Sequence, residues 1–124
     1  MADQGVAGGK LGPLEAEVMR VLWGARRPMP VREVAGELNA GRRAPLAYTT
    51  VLTVMSRLAR KNILSRARAG RGFVYTPVVA DTAEIAVRGV LDEFGDAALA
   101  RFVERVELDP GLRGRLRRLM EEGR

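Results

Sequence analysis

The chain has 124 residues, enough for one compact domain or for one small domain with an extension. Apolar residues make up 47% of it but aromatics only 5%, so its core must be built from Val, Leu, Ile, Ala and Met, and the formal net charge is +6. The absence of Cys and His removes disulfides, thiolate chemistry, nearly every transition-metal site and the commonest general base, so neither a metal nor a cofactor is expected.

The charge is unevenly spread. Through Ala80, 13 Lys/Arg stand against five acids, a net of +8; from Asp81 onward, eight stand against ten, a net of −2. No acid occurs between Glu37 and Asp81, while Arg42, Arg43, Arg57, Arg60, Lys61, Arg66, Arg68 and Arg71 all do. A basic half beside a mixed half is the footprint of a polyanion binder. Three regions are expected: a disordered start at 1–10, a DNA-binding domain at 11–80 and a helical region at 81–124. Residues 1–10 are Gly-rich and polar with no apolar signal segment, and no apolar run nears the ~18 residues of a membrane span, so a cytoplasmic protein is expected.

Gly12-Pro13-Leu14-Glu15 starts the first helix, with Pro and Glu in its first turn. Leu14, Val18, Val21 and Leu22 recur at helical spacing, Trp23 completes the stripe, and Gly24 is expected to end it. Pro28-Met29-Pro30 reads as a stiff connector. Val31, Val34, Ala35 and Leu38 form the buried face of a second helix, stopped by Asn39-Ala40-Gly41. Arg42 to Pro45 is a basic loop.

The third helix, over 47–61, is the informative one. At ~100° per residue, Tyr48, Val51, Leu52, Met55, Leu58 and Ala59 share one side. Thr49, Thr50, Thr53, Ser56, Arg57, Arg60 and Lys61 gather on the other, and this polar face holds no acid. A solvent-facing helix usually gains from opposite charges four residues apart; this one forgoes them, as expected if its partner is an anion. Thr is also a poor helix former, and three in two turns weaken helix propensity. Hydroxyls there can bond base edges, and Thr offers a methyl to thymine. Helix capping explains Thr49 equally well but leaves Thr50 and Thr53 unexplained.

After Asn62 the period becomes two. Ile63 to Ala69 and Gly72 to Val78 read as strands around Gly70-Arg71, a hairpin carrying Arg66, Arg68 and Arg71. A basic hairpin behind a basic helix makes the wing of a winged helix, with its tip along phosphates or a minor groove. Beyond it, Asp81-Thr82 caps a helix with Ile85, Val90, Leu91 and Phe94 as buried positions. Asp96 starts another with Leu99, Phe102, Val103 and Val106. Asp109-Pro110 starts a third with Leu112, Leu116, Leu119 and Met120. About 44 residues of amphipathic helix do not close a core alone. They could fold back on the first domain or pair with a second copy; pairing is expected, because two-fold symmetric readers span two half-sites. The expected dimer residues are Ile85, Leu91, Phe94, Leu99, Phe102, Val103, Val106, Leu112, Leu116 and Leu119. The fold class is thus mainly α with a small β-hairpin, a winged helix-turn-helix domain plus a C-terminal helical dimerisation region.

Three stretches resemble the penicillinase and methicillin-resistance repressor family (BlaI/MecI). They are Leu14-Glu15-Ala16-Glu17-Val18-Met19 with Val21-Leu22-Trp23, Leu46 to Val51 with Arg57 to Asn62, and Phe73-Val74-Tyr75-Thr76-Pro77. The similarity covers about residues 11–120 and weakens in the tail. It implies a homodimer on a palindromic duplex operator, repressing a β-lactamase or related gene, with a membrane-bound sensor-protease as a further partner. It implies that Thr49, Thr50 and Thr53 face bases and that Arg42, Arg43, Arg60 and Lys61 touch phosphates. Arg57 would reach either, and Arg68 and Arg71 would sit on the wing. The family's cleaved Asn–Phe pair corresponds to Arg101-Phe102, where the Phe matches and the Asn does not. A copper-sensing branch uses a C-terminal Cys cluster, which this chain lacks.

Three other readings compete. A non-specific duplex-binding protein of the same fold would share the charge pattern. A single-strand or RNA binder would expose aromatics for stacking, whereas Trp23, Tyr48, Phe73, Tyr75, Phe94 and Phe102 mostly fall on stripes expected to be buried. An enzyme would have only Glu15/Glu17 and Asp92/Glu93 as close carboxylate pairs outside the C-terminal end, both on amphipathic helices where solvation explains them, and there is no Gly-rich phosphate loop.

Overall fold

The computed structural model describes residues 10–123. The expectation of disorder at the N-terminus, Lys10 apart, lies outside the described residues. Helix α1 spans Pro13–Ala25 and opens as the sequence implies, with Pro13 in its first turn and Glu15 Oε1 accepting from the Gly12 N–H at 2.7 Å. Its end differs. Gly24 lies inside the helix, and Arg26 takes the left-handed conformation at φ 57°.

The segment read as a connector is a short strand, β1 (Met29–Pro30), which leads directly into α2 (Val31–Asn39). A two-residue strand that is itself half proline carries no periodicity, and its partners lie 46 and 44 positions along the chain. The strand lies at the sheet edge, where a proline's missing N–H costs no ladder bond. Helix α2 buries Val31, Val34, Ala35 and Leu38 as expected. The turn after it is fixed by the Asn39 amide, which accepts from the Leu46 N–H at 2.7 Å and donates to the Leu46 carbonyl at 3.1 Å. That clasp sets where α3 (Tyr48–Arg60) begins.

Helix α3 ends in a Schellman motif. Asn62 takes φ 60°, the Ile63 N–H reaches the Leu58 carbonyl at 3.0 Å, and the Asn62 N–H reaches the Ala59 carbonyl at 3.1 Å. Leu58 and Ile63, the apolar pair that accompanies this motif, are both buried. The chain then enters β2 (Leu64–Ala69) and β3 (Gly72–Pro77), antiparallel with Ala69 opposite Gly72. Gly70 opens the two-residue turn at φ 62°, a conformation a side chain would strain. β3 lies centrally, with β1 on its other edge through Met29↔Tyr75 and Pro30↔Val74.

One core joins these elements: Val18, Met19 and Leu22 of α1, Val34 of α2, Val51, Met55 and Leu58 of α3, with Leu64 and Tyr75 from the sheet. Trp23 adds a long-range tie, its indole N–H donating to the Val79 carbonyl at 2.9 Å. Three helices follow: α4 (Thr82–Phe94), α5 (Asp96–Leu108) and α6 (Pro110–Glu122). Asp81 and Asp109 cap α4 and α6 as expected, accepting from the N–H groups of Glu84 and Leu112 at 2.9 and 3.0 Å.

The burial of α4 corrects one expectation. Ile85, expected in a dimer surface, is 3% exposed within one chain and belongs to the N-terminal core. Its burial contributes about 1.5–3 kcal/mol to holding the first turn of α4 against that core. Val90, Leu91 and Phe94 are exposed at 42%, 40% and 56% within one chain, so the burial expected of them is not supplied by this chain's own core. After Ile85 the helix turns away from the core, and its outer half, which packs on α5, keeps Val90, Leu91 and Phe94 exposed.

Candidate nucleic-acid interface

Helix α3 packs on α1, α2 and β2, and this packing settles which of its faces is free. Val51, Val54, Met55 and Leu58 are buried, while Thr49, Thr50, Thr53 and Arg60 are exposed and Ser56, Arg57 and Lys61 are half-buried. Thr49 does not cap the helix. Ala47 holds the N-cap position, with no side-chain cap bond. All three threonines are therefore on the outward polar face without a capping duty. No acid lies on α3, so the field over this face is set by Arg57, Arg60, Lys61 and exposed Arg43.

Tyr48 departs from expectation. Placed on the buried side by the wheel, it is 54% exposed, while Val54, left off that side, is 8% exposed. Tyr48 is the first residue of α3, where the neighbouring elements no longer cover the helix. Val54 lies mid-helix, where flanking elements close over it. Tyr48 lines an open groove of about 500 Å³ with Leu52, Arg32 and the wing residues Arg71 and Phe73.

The wing places its cations by strand alternation. Leu64, Arg66 and Arg68 share a face with Phe73, Tyr75 and Pro77 opposite them. Toward the base of the hairpin that face joins the core through Leu64 and Tyr75; toward its tip it is open. There the Arg66 and Arg68 guanidiniums lie 4.3 and 5.5 Å from the centre of the Phe73 ring. Cation–π stacking holds both side chains on one aromatic surface and keeps their N–H groups free for an anion. The resemblance places only Arg68 and Arg71 at the wing, but Arg66, on the same hairpin, lies on the same face as Arg68 by period two. Arg71 is exposed in the turn.

Arg42, grouped with the phosphate contacts in the sequence, has a second task. Its guanidinium meets Glu17 Oε1 at 2.7 Å and the Leu38 carbonyl at 3.1 Å, tying the loop after α2 to α1. The Arg101-Phe102 pair lies in the middle of α5, with Arg101 bonded to Glu104 at 3.1 Å one turn on. The remaining expected dimer residues are exposed or half-buried. Leu99, Phe102, Val103 and Leu119 are 46–66% exposed, and Val106, Leu112 and Leu116 are half-buried. Among the described residues, no helix is long and apolar enough to cross a membrane.

The chain resembles known proteins along nearly its whole length. The transcriptional regulator BlaI of Mycobacterium tuberculosis is 43% identical over 107 residues, covering 81% of this chain and 76% of that protein. The penicillinase repressor of Bacillus licheniformis is 30% identical over 96 residues, covering 76% and 73%. Among solved structures, the DNA-binding domain of the repressor BlaI in solution is similar with a TM-score of 0.51 at 31% identity, covering 60% of this chain and 87% of that one. The complex structure of hsRosR-S4, at 13% identity, shares the fold alone over 97% of this chain and 96% of that one, with a TM-score of 0.52. The penicillinase repressor family model matches residues 11–122. With its winged helix and its acid-free helix face, the chain belongs to the penicillinase repressor family, whose members are transcriptional repressors and not enzymes.

Proposed function

We propose that this protein is a homodimeric repressor that reads a palindromic duplex operator through α3. The carrying observation is the outward face of α3: three threonines free of capping duty, flanked by cations and by no acid. Thr49, Thr50 and Thr53 face base edges, and Arg57 stands where base and phosphate contacts meet. Arg43, Arg60 and Lys61 neutralise phosphates, and Arg66, Arg68 and Arg71 lay the wing along the backbone. The proteins of known name that it resembles support this reading, as does the fold shared with a repressor's DNA-binding domain.

The second copy pairs through the tail. Leu91 and Phe94 of α4 and Leu99, Phe102 and Val103 of α5 are apolar and exposed in one chain. The regulated gene, by family membership, is a β-lactamase or a related resistance gene, and the protein works in the cytoplasm where that gene lies. A sensor-protease partner would meet Arg101-Phe102 inside a helix, so cleavage there requires α5 to open locally first.

Competition between labelled duplex and excess single strands tests the nucleic-acid class. Duplex is expected to compete far better, with affinity falling steeply as salt rises. Equal competition by single strands would overturn the reading, with Tyr48 then the exposed ring to suspect.

A further inference from the structure

We propose that the DNA contact surface extends beyond the winged helix into α4, through a phosphate site formed by Arg60, Arg66 and Arg88. The proposal rests on the duplex-binding reading above and adds to it a contact from the helical tail.

A groove of about 580 Å³ runs from the C-terminal half of α3 across the base of the wing to α4. Its cationic lining comes from three elements: Arg60 of α3, Arg66 of β2 and Arg88 of α4, and the hydroxyls of Ser56 and Ser65 line it too. No carboxylate lines it, and among the described residues none of the three arginines is in an ion pair. Ser56 and Arg60 also belong to the polar face of α3, so the groove is continuous with the surface assigned to the operator. A backbone strand leaving the major groove beside Arg60 meets Arg66 and Arg88 next.

Arg88 is unusual in its own helix. It is the single cation of α4, against Glu84, Asp92 and Glu93. It lies one turn after buried Ile85, on the side turned toward the winged helix, and does not pair with Asp92 one turn on. One guanidinium nitrogen donates to the Asn62 carbonyl at 3.1 Å, at the left-handed residue that ends α3. That bond fixes the side chain at the groove while using one of its five N–H donors. A guanidinium held in place with its remaining donors open is suited to a phosphate oxygen pair. Phosphate contacts fix register and orientation, so this one would set the angle at which the tail, and with it the second protomer, leaves the DNA.

The test measures log Kobs against log salt for the whole protein on random-sequence duplex. Arg88→Gln keeps a donor for the Asn62 carbonyl and removes the charge; Arg88→Lys keeps the charge. The glutamine variant is expected to flatten the slope by about 0.9 for each protomer engaged, and the lysine variant to restore it. A glutamine variant with the wild-type slope would make Arg88 a structural tether only and overturn the proposal. A wild type without salt-dependent duplex binding would instead overturn the repressor reading beneath it. Calorimetric titration with inorganic phosphate separates the source of the anion. No saturable binding in the millimolar range is expected, and saturable binding lost in Arg88→Gln would assign the groove to a small anion and overturn the DNA contact.

Discussion

Thr50 and Thr53 lie on the exposed face of a helix they weaken, and neither serves its N-cap. A residue that weakens its element without a structural return is expected to act outside it. Thr50→Ala and Thr53→Ala should each cost about 1–3 kcal/mol of binding to the operator while leaving random duplex almost unaffected. Equal losses on both DNAs, measured by titration at fixed salt, would remove the base-reading role. The exposure of the threonines was legible because they recur at helical spacing opposite the apolar stripe. Tyr48 was misread because a helical wheel gives direction but not where the neighbours that cover a face come to an end. Arg42 shows a further limit. Its partner Glu17 lies 25 residues away, and no local pattern distinguishes an arginine bound for DNA from one held by α1.

Among the elements, the helices and the hairpin were legible because each has its own punctuation. Pro13, Asp81, Asp109 and Pro110 mark starts, Asn62 marks an end, and Gly70 marks the turn. β1 was not, because Met29 and Pro30 become a strand only when Tyr75 and Val74 lie opposite them. The wing turn gives a direct check of this local chemistry. Gly70 has φ 62°, while Gly72 has ordinary backbone and open space where a Cβ would stand. Gly70→Ala is expected to lower stability by about 1–2 kcal/mol. Gly72→Ala should change it by under about 0.5 kcal/mol, the usual range for a surface site. Equal shifts in the urea midpoint would mean that the turn is built otherwise.

At the scale of the whole molecule, the change of charge at Ala80 does not coincide with a boundary in packing. Charge turns over there, yet the core continues to Ile85, and Arg88 reaches back to Asn62. Pattern alone could not separate Ile85 from Leu91 and Phe94, since all three are apolar residues of one amphipathic helix. What separates them is how far the helix runs beside the N-terminal core before leaving it. Its outer part, with α5 and α6, presents the apolar surface that a second copy would bury. Under the proposed pairing, two winged helices held by such a tail would read two half-sites in fixed relation, and half-site spacing would be the quantity this arrangement sets.

Selection of bound sequences from a random duplex pool, with the intact protein, tests this most directly. The account predicts a two-fold symmetric motif whose half-sites are centred about 10 base pairs, one helical turn, or a multiple of that apart. Recovery of DNA with no shared motif would contradict it, leaving a basic winged helix that holds duplex without reading it.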